Sequence, residues 1–253
     1  MRTILLTGGS GKIGRKLIEG FLKNGDRVIF TTRSRGSADE ILHHFEPMKV
    51  GDRLQPVTID LCVPDAASKL IGDLGDKAAE IFGVINNARD QANLALQGKG
   101  APTQAQWLNE FNLAVIAAHD LGWQLANVPN GKLRRIINIS SIYGIVATNA
   151  ALYEKEEQRA PIHYGVAKAA LLHLTKEMAV RLAKQQIAVN AVSYGGVEGR
   201  VDEGFKARYG ALCPMGRMLR EDEVAGSILF LMSEGAESVT GQNIVVDGGW
   251  SVW

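Results

Sequence analysis

The chain is expected to adopt an α/β fold built on a doubly wound, seven-stranded parallel sheet flanked by helices. Short apolar runs alternate with helical patterns from one end of the sequence to the other, which is the pattern of βαβ units. The runs are continuously apolar, as strands covered by helices on both faces must be. A glycine-rich turn joins the first run to the first helical stretch, where sheets of this kind hold phosphate groups.

In chain order, the strands are read at residues 3–7, 27–31, 54–59, 81–86, 134–140, 187–193 and 242–246. Ile13, Leu17 and Phe21 recur at helical spacing after the first strand. So do Trp107, Phe111, Val115, Ala118 and Leu125 before the fifth, and Ala167, Leu171, Leu174, Met178 and Leu182 before the sixth. Each face is expected to pack on the sheet. No repeat, low-complexity tract or Pro/Gly-rich linker divides residues 1–253, and 46% hydrophobic content suits one sizeable core, so one domain is expected. The long loops lie at 93–102 and 148–161, and long loops in compact α/β domains tend to carry function.

The 28 basic and 27 acidic side chains nearly cancel, which argues against nucleic acid or an anionic membrane surface as partner. Cys62 and Cys213 are the only cysteines and have no neighbouring Cys/His pattern, which points to a reducing, cytoplasmic setting without a metal site. The sequence runs from Met1 directly into the first strand without a leader pattern, and no apolar run reaches membrane-spanning length.

Thr7-Gly8-Gly9-Ser10-Gly11-Lys12-Ile13-Gly14 spans the first strand-to-helix turn. A Cβ there would block the tight turn, the approach of backbone N–H groups to a pyrophosphate, and the helix–strand contact. The octapeptide resembles the cofactor turn of the short-chain dehydrogenase/reductase family, except that Lys12 stands where classical members carry a further Gly. The resemblance implies a single-domain Rossmann fold and a nicotinamide cofactor held by Gly8, Ser10, Gly11, Lys12, Ile13 and Gly14.

The end of the second strand reads Phe30-Thr31-Thr32-Arg33-Ser34-Arg35, without the acid that receives the ribose hydroxyls in NAD-dependent Rossmann proteins. Arg33 can grip a 2′-phosphate bidentately, with Thr32 and Ser34 donating and Lys12 adding charge, so NADP(H) is expected rather than NAD(H). A solvated pair, Arg33 and Arg35, is the bland alternative. Asp60-Leu61 matches the family pair beside the adenine, although Asp60 equally suits an N-cap for a helix beginning near Pro64.

Tyr164-Gly165-Val166-Ala167-Lys168 resembles the family's YxxxK signature, and i,i+4 spacing puts the phenol and the ammonium on one helix face. A free phenol has a pKa near 10, too high for efficient proton exchange at neutral pH, and a nearby cation favours the phenolate. The resemblance further assigns Ser141 to orienting the substrate oxygen, Lys168 to the nicotinamide ribose, and Asn112 to a water-linked proton relay. It also places Asn87 and Ala88 on the cofactor floor, with Arg89 replacing a Gly, and Tyr194, Gly195 and Val197 beside the nicotinamide. Tyr194 replaces a Pro there and Gly199 a Thr. Residues 239–249 resemble the terminal strand of classical members, so the resemblance spans nearly the whole chain.

Ser141 and Tyr164 lie 23 positions apart, about ten more than is usual in the family. The extra segment holds Tyr153, Glu154, Lys155, Glu156, Glu157 and Arg159, and a charged wall is expected to suit a polar substrate. Similar insertions occur in a family subgroup associated with flagellin or surface-sugar modification; a solvated hairpin without substrate contact is the alternative. The expected activity is carbonyl reduction or alcohol oxidation. Open alternatives are a sugar-modifying epimerase or dehydratase that retains its cofactor, a 3-oxoacyl reductase, and a non-catalytic cofactor sensor. By analogy with the family, a homotetramer or dimer is expected, with Trp250, Val252 and Trp253 in an interface.

Overall fold

The computed structural model describes residues 1–95, 101–199 and 201–253, with backbone alone for Glu157; the middle of the 93–102 loop lies outside the described residues. Seven strands form one parallel sheet in the order β3-β2-β1-β4-β5-β6-β7. They are β1 (Thr3–Leu6), β2 (Arg27–Thr32), β3 (Leu54–Thr58), β4 (Ile81–Asn86), β5 (Arg135–Ser141), β6 (Ala188–Tyr194) and β7 (Asn243–Val246). Every strand end falls within one residue of the sequence-based expectation. The order reverses between β1 and β4, and the crevice beyond their carboxyl ends is where doubly wound sheets bind ligands.

Alternate residues of the central strands enter opposite cores. Ile4 and Leu6 of β1, with Val28 and Phe30 of β2, pack with α1 (Lys12–Lys23) and α2 (Arg35–Phe45). Leu5 and Ile29, between them in sequence, face the other layer and pack with α3 (Ala66–Leu74). This two-residue period, buried on both sides, produces the continuous apolar runs of the sequence. The edge strands β3 and β7 depart from it, being only partly covered.

The helical stretch before β5 is not one continuous face. Helix α4 (Gln104–Phe111) gives way to a π-helical turn, Asn112–Ile116, and then to α5 (Ala117–Ala126). The wider turn shifts the helical phase. Ala114, Ala118, Leu121 and Leu125 become the buried residues after it, while Val115 is only half-buried. Trp107 does not reach the sheet; its ring lies 5.9 Å from that of His163 at the start of α6 (Ile162–Leu182). Met178 and Leu182 of α6 pack on the sheet as expected.

The segment between Ser141 and α6 is not a solvated hairpin. It folds into short 3-10 turns and buries Ile142 and Leu152 against Tyr209, Cys213, Met218 and Trp250. Arg208 of α7 (Glu203–Leu212) donates to the Leu152 carbonyl at 2.9 Å and to Glu154 at 2.7 Å. Trp250 stacks on Tyr209 at 4.4 Å and is buried within the chain, whereas Val252 and Trp253 stay exposed. The final helix, α8 (Val224–Leu231), lies beside α1. Among the described residues no helix is long and apolar enough to cross a membrane.

One consequence of the β1–α1 turn is measurable. A Cβ on Gly14 would stand 2.4 Å from the Gly8 carbonyl oxygen and 2.8 Å from Gly9 Cα, so α1 would have to lift off the turn. Gly14→Ala is expected to lower unfolding free energy by about 1–3 kcal/mol, the range for overpacking. Gly11→Ala, whose Cβ meets only Gly8 O at 3.4 Å, is expected to stay within about 1 kcal/mol of wild type. Urea denaturation of both variants checks the contrast, and equal losses would contradict it.

Candidate active site

A cleft of about 630 Å³ opens at the carboxyl edge of the sheet, running from the glycine turn past β4 and β5 to α7. That volume lies within the range of small-molecule and cofactor sites. Of the residues expected to hold the cofactor or take part in proton transfer, all but Ser34 and Asn112 line it.

At one end, Gly8 has φ +68°, a conformation that disfavours any side chain. Helix α1 begins at Gly11 with no side-chain cap and no acid in its first turn, leaving its N–H groups and partial positive charge facing the cleft. This cradle fits a pyrophosphate: the space a Cβ on Gly11 would fill is bounded only by Gly8 O. Asn87 ties the end of β4 to the turn, its Nδ2 donating to Thr7 O at 3.0 Å and Gly8 O at 3.1 Å. The Asn87 and Ala88 N–H groups both donate to Thr7 Oγ1 at 2.9 Å.

Lys12 does not join Arg33. Its Nζ donates to Val197 O at 3.0 Å and pairs with Glu221 at 3.5 Å, crossing to the loop after β6. Gly199 passes this pair with φ +112°, a backbone conformation that strains any side chain and is the reason for Gly at that position. Ser34 does not line the cleft: its hydroxyl caps α2 by accepting from Ser37 N–H at 3.2 Å. The polar groups left at the end of β2 are Arg33 and the Ser10 and Thr32 hydroxyls, 3.3 Å apart. Arg33 is largely exposed and pairs with Asp90 at 3.2 Å. Asp60 is not a helix cap; it accepts from Cys62 N–H at 2.9 Å, while Asp65 stands before α3. Beside it, burial pushes the Cys62 thiol up to about 11.

At the other end, Tyr164 and Lys168 share one face of α6 and line the same cleft, with Lys168 Nζ 5.9 Å from the Tyr164 ring centroid. Two glycines allow this. A Cβ on Gly144 would lie 2.9 Å from the Lys168 carbonyl carbon, and one on Gly165 would lie 2.9 Å from Tyr143 O, so α6 presses directly on the turn after β5. Ser140 donates to Lys168 O at 3.2 Å and is thereby engaged in packing. Ser141 accepts from Tyr143 N–H at 3.2 Å, and its own proton has no protein acceptor among the described residues.

Lys168 is buried and donates to Ile139 O at 2.7 Å. Burial lowers its pKa to about 8; the buried Glu110 opposes that shift, and Arg89 adds to it. Asn112 opens the π turn and lies outside the cleft, its carbonyl accepting from Ala117 N–H. A small cavity of about 10 Å³, lined by Leu113, Ala114 and Lys168 among others, separates that turn from the lysine. It has room for about one water.

Several cleft residues were not legible as such. The inserted segment contributes Leu152, Tyr153, Ala160 and Pro161, not its charges: Glu154 pairs with Arg208, Arg159 with Glu156, and the Glu157 side chain lies outside the described residues. Tyr153 and Tyr143 hydrogen-bond through their hydroxyls at 2.6 Å, and burial pushes both phenols up. Tyr194 turns its hydroxyl to Val224 O and Ser227, and burial pushes it up as well. Arg89, visible in the sequence only as a departure from a glycine, sets its guanidinium 4.7 Å from the Tyr164 ring centroid.

The sequence matches the family described as enoyl-(acyl carrier protein) reductase over residues 9–251. It is 25% identical over 256 residues to post-translational flagellin modification protein A of Campylobacter coli, covering 99% of this chain and 98% of that one. The crystal structure of a short chain dehydrogenase from Leptospira borgpetersenii with bound NAD+ superposes with a TM-score of 0.84 at 26% identity, over 99% of this chain and 92% of that one. The Pseudomonas aeruginosa RhlG/NADP active-site complex does so with a TM-score of 0.82 at 27% identity, over 99% and 96% of the two chains.

Proposed function

The chain belongs to the short-chain dehydrogenase/reductase family of oxidoreductases, and from that premise we propose that it uses NADP(H) to reduce a polar carbonyl compound, or to oxidise the corresponding alcohol, with Tyr164 as acid/base. The observation that carries the reading is the convergence of Tyr164, Lys168 and Ser141 in one cleft that also holds the glycine turn and Arg33. When bound, the nicotinamide supplies or accepts the hydride. Ser141 donates its unengaged proton to the substrate oxygen and holds it against the Tyr164 hydroxyl. Tyr164 gives the oxygen a proton in reduction and takes it in oxidation, and the Lys168 ammonium favours the phenolate that results. The cavity beside Lys168 supports a relay through one water toward the π turn that Asn112 opens.

The α1 N-terminus would hold the pyrophosphate, with Asn87 and Ala88 below it and Asp60 and Leu61 beside the adenine. Arg33, Thr32 and Ser10 would hold a 2′-phosphate, with Arg33 exchanging Asp90 for the more strongly charged group. Preference for NADP(H) makes reduction the physiological direction. Arg33→Ala is expected to weaken NADPH binding about 10–100-fold, the worth of a charged hydrogen-bond pair, and NADH binding by less than about threefold. Titration of reduced-nicotinamide fluorescence measures both, and equal losses would remove Arg33 from the phosphate site.

Net loss of reduced-nicotinamide absorbance over a panel of sugars, keto acids and acyl-thioester ketones tests the activity itself. An epimerase or dehydratase that keeps its cofactor consumes none, and a cofactor sensor turns nothing over. The relative named for flagellin modification favours the polar members of that panel. The exposed apolar side chains Leu108, Ile116 and Val166 on the outer faces of α4 to α6 support assembly of this one-domain chain into a dimer or tetramer. A reducing cytoplasm suits the two unpaired thiols.

A further inference from the structure

We propose that Arg89 is the anchor for a carboxylate or phosphate carried by the substrate, so that this cleft selects small anionic carbonyl compounds. The inference rests on the oxidoreductase reading above and narrows its substrate class.

The loop after β4 carries Arg89 to the rim of the cleft, where its guanidinium lies 4.7 Å from the ring centroid of Tyr164. Among the described residues, the other cations of the cleft already have partners, and Arg33 and Lys168 are assigned to the cofactor in the reading above. Lys12 is held by Val197 O and Glu221, Arg33 by Asp90, and Lys168 by Ile139 O. Arg89 alone among them has no ion-pair or hydrogen-bond partner for its side chain among the described residues. Glu110, the acid nearest in effect to Lys168, is buried and accepts from Asn93 at 3.2 Å.

The surroundings make that guanidinium selective. Arg89 is itself exposed at the rim, and the same cleft is lined by Tyr143, Tyr153, Leu152, Phe205 and Met218, none of which is an acid that would compete for the guanidinium. The Tyr143 and Tyr153 hydroxyls are spent largely on each other. A substrate oxygen bonded to Tyr164 therefore has one partner within reach for a negative group, and its position over the ring sets a short spacer of a few bonds between that group and the reacting carbon. The guanidinium fork matches carboxylate and phosphate oxygens bidentately. Binding there would also offset the like-charge repulsion between Arg89 and Lys168.

Matched pairs of probes separate the two anion chemistries from a neutral polar substrate: acetoacetate against methyl acetoacetate, and dihydroxyacetone phosphate against dihydroxyacetone. Wild type is expected to prefer the charged member of at least one pair in kcat/KM. Arg89→Leu should lower that preference at least tenfold, and Arg89→Lys should restore part of it. Independently of turnover, calorimetric titration of malonate and of inorganic phosphate into the cofactor-free protein should show at least one of them binding, with affinity falling at least tenfold in Arg89→Leu. The anion whose affinity falls in Arg89→Leu identifies the group.

Affinities for both anions that are unchanged in Arg89→Leu overturn the proposal, as does a variant that loses NADPH affinity by the same factor while its charged-over-neutral ratio stays at the wild-type value. In the latter case Arg89 serves the cofactor and the oxidoreductase reading stands. Should no carbonyl probe be turned over, the activity is in question, and the anion titration still decides the role of Arg89.

Discussion

Tyr164→Phe lowers kcat by about a thousandfold or more, within the range lost when a positioned proton donor is removed, and leaves NADPH affinity within about threefold of wild type. The selectivity of this effect follows from what the substitution removes. The ring remains beneath the Arg89 guanidinium, so that contact is kept. The hydroxyl has no hydrogen-bond partner among the described residues, so its loss strands no buried donor or acceptor. Stopped-flow turnover and equilibrium cofactor titration of the same preparation give the two numbers. Turnover retained within tenfold would remove Tyr164 from the proton path.

Lys168→Met is expected to cost about 10²–10⁴ in kcat, and it also changes how stability depends on pH. The folded chain holds Lys168 at about 8 because burial penalises its charge, while a free lysine titrates near 10.4. Between those values the unfolded chain binds more protons than the folded one, so wild-type stability rises with pH across that window. Below it the destabilisation from the buried charge is fully present, and it is relieved as pH rises through the folded value. The stability of wild type relative to Lys168→Met should therefore increase by about 3 kcal/mol between neutral pH and about pH 10.5. Groups that do not interact with Lys168 cancel in that comparison. Urea unfolding of both proteins at the two ends of the range measures it, and a difference independent of pH would mean that the ammonium is solvated rather than buried.

Most of the Tyr164 end of the cleft was legible because its elements are local. Tyr164 and Lys168 share a face through helical periodicity alone, and the glycine turn announces itself through residues that admit no Cβ. Ser141 was separable from Ser140 only by motif, and the geometry supplies the reason, since Ser140 is bound to Lys168 O. Arg33 was legible as a cation at the end of β2, but its pairing with Asp90 was not, because the two residues lie on different strand-to-helix connections. The same holds for Lys12, whose long side chain crosses to Val197 and Glu221.

The inserted segment shows where reading by composition goes astray. Its charges suggested a charged wall, yet the chain turns them toward α7 and solvent and presents Leu152, Tyr153 and Pro161 to the cleft. A loop has no fixed periodicity from which to tell which side chains face inward. The π turn at Asn112–Ile116 is a similar case: one wider turn rotates every later residue of the stretch, and single-sequence periodicity averages over it.

The sequence by itself determined the seven parallel strands, the helices after β1 and before β6, the glycine turn and the Tyr164–Lys168 pair. These depend on apolar periodicity and on spacings of a few residues, which backbone geometry converts directly into position. Only the tertiary structure decided which charges meet. Groups tens to nearly two hundred positions apart, such as the Lys12 ammonium and the Val197 carbonyl or the Arg89 guanidinium and the Tyr164 ring, are brought together by the topology of the sheet, and the partner each finds depends on packing that no local pattern encodes.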